Sequence, residues 1–100
     1  MAEVTFVDET TSGTRRAALG LGIAEERLEL RELIRRRVAE EATAAGRDPQ
    51  EAYERAVESF GRGGFLVLAG DRQITELDEH VDLSAATEVT FLRLVPLVGG

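Results

Sequence analysis

The chain contains no cysteine, no tryptophan and no lysine. Without cysteine there is no disulfide, no thiol nucleophile and no thiolate metal site. Without lysine, all 12 basic residues are arginines, and the only primary amine the sequence can present is at its N-terminus. Long apolar runs are also missing. Nothing approaches the roughly 20 residues needed to cross a bilayer, and the opening Met1-Ala2-Glu3-Val4 is acidic and strand-like, unlike a secretory leader. Positive charge is scarce beside 19 acidic residues, leaving a net charge of −7. Phosphate recognition needs a basic face, and the one arginine cluster, Arg35-Arg36-Arg37, lies in acidic sequence and reads as a solvated helix face. The expectation is a cytoplasmic protein that engages neither nucleic acid nor membrane.

What is present is one domain's worth of core: 100 residues, 43% hydrophobic, read as a single domain over 1–100. Val4 and Phe6, then Leu19, Leu21 and Ile23, fall at alternate positions, the period of a strand with one buried face. The turn-forming stretch 8–14 between them predicts a hairpin of strands 3–8 and 15–23. Gly20 and Gly22 then lie on the face opposite the leucines. From about Glu29 the period lengthens. Leu30, Leu33, Ile34, Val38 and Ala42 form a helical stripe that ends near Gly46. Asp48-Pro49-Gln50-Glu51 is a helix start signal, and Ala52, Tyr53, Ala56, Val57 and Phe60 continue a second helix over about 48–61.

Phe65 to Ala69 is an uninterrupted apolar run, predicted to be a strand buried on both faces, followed by a turn at Asp71-Arg72 and a short strand at 73–75. Residues 77–83 read as irregular, anchored by Val81 and Leu83. Glu88 to Val95 alternates again, and Pro96 ends ladder pairing, which leaves 95–100 as a tail. The order β-β-α-α-β-β-β predicts an α+β fold, one mixed sheet packed on a central helix, with the last strand parallel to the first. The shared core is expected to comprise Val4, Phe6, Leu19, Leu21, Leu33, Ile34, Val67, Val89 and Phe91.

Catalytic patterns are lacking. His80 is the single histidine and has no cysteine to pair with, so it reads as a loop residue. Glu76, Asp78, Glu79 and Asp82 lack the spacing of a calcium-binding loop. Nothing resembles a phosphate loop, a Ser/His/Asp set or a dinucleotide fingerprint. Neither enzyme activity, nor a metal, nor a cofactor is expected.

The segment Leu66-Val67-Leu68-Ala69-Gly70-Asp71-Arg72-Gln73-Ile74 resembles the third and fourth strands of ubiquitin-like proteins. Glu88 to Gly100 is similar to their last strand and Gly-Gly tail, and Leu30-Arg31-Glu32-Leu33-Ile34 to the start of their central helix. The resemblance covers about 70 residues of the chain. It implies a ubiquitin-like β-grasp in which the helix at 48–61 is an insertion. The tail Val95-Pro96-Leu97-Val98 is apolar where ubiquitin is basic, as in small sulfur carriers. The group most similar is that of bacterial ubiquitin-like proteins encoded beside E1-like, E2-like and JAB-type peptidase genes. What that resemblance implies is a modifier whose Gly100, preceded by Gly99, is the acyl donor to a target protein, with the antiviral role of that group.

Its partners would be those three enzymes, the target and, by self-association, a second copy, with Val95 to Val98 as a partner-binding tail and Val67 and Gly70 on a partner surface. The alternatives are a sulfur carrier ending in a thiocarboxylate and a non-covalent self-assembling module. Glycine suits a threaded tail because it has no Cβ and accepts positive φ. The missing lysine sets a chemical limit. Covalent ladders of this chain must be joined through an N-terminal amine or an ester, and an isopeptide junction to an internal residue of another copy, detected by mass spectrometry, would contradict this.

Overall fold

The computed structural model describes residues 2–84 and 87–94. In order the elements are β1 (Ala2–Thr10), β2 (Arg15–Ile23), β3 (Arg27–Glu29), α1 (Leu30–Ala44), α2 (Pro49–Gly61), β4 (Phe65–Ala69), β5 (Arg72–Ile74), β6 (His80–Asp82) and β7 (Glu88–Arg93). The fold is α+β. Five strands form one mixed sheet in the order β2-β1-β7-β4-β5, and β3 and β6 form a separate pair. β7 runs parallel to β1 and antiparallel to β4, so it joins two hairpins that are otherwise unconnected by hydrogen bonds. This is an arrangement compatible with a β-grasp.

Alternation sends one set of side chains from each strand toward the helices. Val4 and Phe6 of β1, Ile23 of β2, Phe65 and Val67 of β4, Ile74 of β5 and Val89 of β7 meet Leu30, Leu33 and Ile34 of α1 in one cluster. Leu19, Leu21, Val38, Tyr53, Phe60 and Phe91 pack half-buried against it. Both helices end in the same way. Gly46 and Gly63 adopt positive φ of 70° and 76°, and the following residue donates back to a carbonyl five residues earlier, Arg47 to Ala42 at 2.8 Å and Gly64 to Ser59 at 2.8 Å. α2 opens as its start signal predicts, with Gln50 N donating to Asp48 Oδ1 at 3.0 Å.

α1 starts differently. Glu29 provides no side-chain cap. Instead Leu30 N donates to Glu79 O at 2.9 Å and Arg31 N to Leu77 O at 3.0 Å, so the 77–79 loop supplies the acceptors that the first helical turn lacks. The β3–β6 pair holds that loop in place, with Leu28 opposite Val81, and Leu83 N donates to Glu26 O at 2.8 Å.

Several boundaries differ from the sequence expectation. Residues 80–82 are a strand and not irregular, and His80 is exposed on it opposite Glu29. Val81 and Leu83 are buried as predicted. The β4–β5 turn is at Gly70-Asp71, one residue before the expected Asp71-Arg72, because Ala69 pairs with Arg72. β4 is not buried on both faces: among the described residues no second layer lies over its outer side, where Leu66 and Leu68 are half-exposed.

The inner cluster is what truncation should damage. Leu33 and Val67 are fully buried. Leu33→Ala should cost about 2–5 kcal/mol and Val67→Ala should act in the same direction. Urea denaturation measures both, and an unchanged midpoint would place the residue outside the core.

Candidate functional site

Val95, Pro96, Leu97, Val98, Gly99 and Gly100, the tail singled out from the sequence, lie outside the described residues. The strand that leads to them is β7. β7 is paired on both sides, from Thr5↔Glu88 to Thr10↔Arg93 against β1 and from Ala69↔Val89 to Phe65↔Arg93 against β4. Arg93 O still accepts from Thr11 N at 3.2 Å. Leu94, the next residue, is the most exposed large apolar side chain described, at 44%. The chain therefore leaves the middle of the sheet and not an edge.

Val67 cannot belong to a partner surface. It is fully buried, because its position in β4 points toward α1 and its neighbours point away. Gly70 is exposed at the β4–β5 turn. The outward positions of β4 are Leu66 and Leu68. Leu66 stands opposite Leu92, and Leu68 opposite Thr90. On the other side of Thr90 is Val7, which is only 2% exposed although it too faces outward, opposite Thr90 and Ala17. Its cover is ionic. Arg15 is level with Glu9 and Glu88 with Thr5, so the Arg15–Glu88 ion pair crosses β1 at the height of Val7. The bridge passes over this half of the outer face. On the other half Leu66, Leu68 and Leu92 are half-exposed.

The inner face changes character toward the end of the sheet that carries the tail. Beyond Phe6 and Phe91 the inward positions become Asp8 and Thr10 on β1, Arg16 on β2 and Arg93 on β7. Arg37 of α1 seals the core against this polar end. It was expected on a solvated face but is only 6% exposed. Its guanidinium lies 4.6 Å from the Phe91 ring centroid and 5.8 Å from that of Phe6. Nη2 donates to Asp8 Oδ2 at 2.9 Å, and Nη1 is 2.8 Å from Asp8 Oδ1 without a hydrogen bond of sound geometry. Nε and Nη2 both reach Glu41 at 3.3 Å. Burial works against the charge, but the bonds to Asp8 and Glu41 outweigh it and raise the pKa above the ordinary arginine value.

Arg35 is exposed as expected, whereas Arg36 is half-buried. Both bond Glu32, and Arg36 also binds Glu25, whose carboxyl it holds down to about 2. The signal for Arg37 was in the sequence: 30, 33, 34, 37 and 41 share one helical face, and the apolar part of that face reaches Arg37.

Among the described residues no group of His, Asp or Glu side chains is arranged to hold a metal ion. Within the acidic cluster, Glu79 has a structural role, accepting from Thr75 N at 3.1 Å and pairing with Arg72 at 2.7 Å. No described helix is long and apolar enough to cross a membrane. No family model, curated protein or solved structure matches the chain.

Arg37 and Arg35 make a sharp test of burial. Arg37→Ala should cost about 3 kcal/mol, the low end for a buried pair because Asp8 and Glu41 keep contact with water. Arg35→Ala should cost less than about 1 kcal/mol, since its pair with Glu32 is solvated. Equal losses in urea titrations would contradict the assignment of Arg37 as the core's ionic seal.

Proposed function

We propose that the chain is a ubiquitin-like β-grasp modifier whose Gly100 carboxylate is activated by an E1-like enzyme and joined to an amine on a target. The chemistry needs a carboxylate at the end of a narrow, extended segment. The carboxylate attacks the α-phosphate of ATP and displaces pyrophosphate; an enzyme thiolate then takes the acyl group and releases AMP. The observation that carries this reading is the placement of β7, which is held on both flanks as far as Arg93. A segment following such a strand can be pulled into another enzyme's channel without loosening an edge of the sheet. The hairpin, the helix that follows it and the parallel first and last strands also agree with the ubiquitin-like resemblance of the sequence. On this reading an E2-like enzyme receives the thioester and a JAB-type peptidase trims or reverses the product.

One observation favours a second reading, a non-covalent assembly module. Leu66, Leu92 and Leu94 are apolar side chains on or beside a sheet face that no described element covers. A partner docked there would need no activated tail.

Deletion of Gly100 separates the two. It should abolish adenylate and thioester formation with a genomically adjacent E1-like enzyme and ATP, followed by intact mass, while the thermal midpoint stays unchanged. Gly99→Val should impair activation nearly as much, because a β-branched residue restricts φ and adds bulk in the channel. A wild-type chain that no such enzyme adenylates would remove the modifier reading.

A further inference from the structure

The polar end of the layer between sheet and helices is not filled. A cleft of about 470 Å³ opens there, between the ends of β1, β2 and β7 on one side and α1 and α2 on the other. That volume is in the range of small-molecule sites, roughly 300–1,000 Å³. Its apolar wall is made by Phe65 and Phe91, stacked at 5.1 Å between centroids, together with Val38 and Ala56. Four of the chain's arginines line it, Arg16, Arg37, Arg55 and Arg93, against three carboxylates, Asp8, Glu9 and Glu41. In a protein with a net charge of −7, this concave place carries a small positive excess.

Local pairing singles out two of the four arginines. Glu9 is within 3.6 Å of Arg15, which is not in the cleft, and Arg55 pairs with Glu51 at 2.9 Å. Asp8 stands opposite Arg16 across the β1–β2 ladder but turns its carboxylate to Arg37. Arg16 and Arg93 are therefore left exposed, with no ion pair to any described carboxylate. Arg37, at the floor, keeps one buried guanidinium nitrogen without a satisfied hydrogen bond.

We propose that this cleft binds a small oxyanion, a carboxylate or phosphate, carried on a compact apolar body. The anionic group lies between the Arg16 and Arg93 guanidiniums, whose planar forks match both chemistries. The apolar body lies against Val38, Ala56 and the exposed edge of Phe91. Binding here does not depend on how the tail is used, so it stands or falls apart from the activation chemistry.

The test is an NMR titration of the full chain with phenyl phosphate, phenylacetate, inorganic phosphate and benzyl alcohol. Saturable amide shifts confined to residues 8–16, 37–41 and 91–93 are expected with the two aromatic anions. Inorganic phosphate should bind at least about tenfold more weakly and benzyl alcohol should not saturate. The pair R16Q/R93Q should weaken phenyl phosphate at least about tenfold with an unchanged thermal midpoint. The pair R27Q/R47Q, which removes equal charge elsewhere, should bind like the wild type. Scattered or non-saturable shifts would overturn the proposal, as would equal binding by R16Q/R93Q and the wild type. Equal weakening by the two pairs would reduce the effect to diffuse electrostatics and overturn it too. Inorganic phosphate binding as tightly as phenyl phosphate would remove the apolar half of the site. A preference between phenylacetate and phenyl phosphate would identify which oxyanion the cleft takes.

Discussion

The pairing of β7 with both β1 and β4 is the interaction on which the rest depends. Without it the β1–β2 hairpin and the β4–β5 hairpin share no backbone hydrogen bond. The helices would then have two small curved surfaces to cover in place of one. β7 is also the element farthest along the chain, so its parallel contacts with β1 close a loop of more than 80 residues. Closing so long a loop has a large entropic cost, which the core beneath must offset. Val89 and Phe91 provide that compensation: one is fully buried, and the other contacts Phe6 and Phe65.

Arg37 shows how the apolar core is closed off from the cleft beside it. An apolar residue at its position would bury well against Phe6 and Phe91 but would leave the Asp8 carboxylate with no partner from the helix. A guanidinium does both tasks, because its faces accept aromatic contact while its edge donates to Asp8 and Glu41. Lysine could donate to the carboxylates but has no planar face to lay on the rings. The surface ion pairs are weaker versions of the same chemistry, and those between i and i+4 on α2, such as Arg55–Glu51 and Arg62–Glu58, are solvated and contribute little.

Much of this architecture was legible in the sequence because its elements carry clear periods. Alternation in Val4/Phe6 and Leu19/Leu21/Ile23, and three-and-four spacing from Leu30 to Ala42, are local consequences of burying one face. Features that depend on distant partners were not legible. β3 and β6 are three residues each and exist through pairing with one another, so neither has a period to read. The apolar run 65–69 looked buried on both sides because composition cannot say whether a second layer covers the outer face. That is also why Val67 was misplaced on a surface whose real occupants are its neighbours Leu66 and Leu68. Arg37 was misread by type, since a charged residue in an arginine triplet suggests solvent, although its helical position said otherwise. Of the candidate functional residues, the Gly-Gly tail rests on family resemblance and lies outside the described residues, whereas the arginine cleft gathers residues from both helices and several strands, which no local pattern shows.

β7 makes these surfaces mutually dependent. Along six residues it sends Val89, Phe91 and Arg93 inward and Thr90 and Leu92 outward. Phe91 helps wall the cleft, and Leu92 completes the leucine face. A slip of one residue would exchange the two sets, exposing Phe91 and driving Leu92 into the core. Backbone pairing alone does not forbid such a slip, because a shifted ladder satisfies nearly as many hydrogen bonds. The side chains forbid it. Phe91 is stacked on Phe65, set edge-on to Phe6 and covered by the Arg37 guanidinium, and Arg37 is in turn fixed by Asp8 and Glu41. A leucine in that place would lose the ring contacts and leave the guanidinium over a poorer surface. The aromatic–arginine cluster therefore sets the register of β7, and the register decides what both faces of the sheet present.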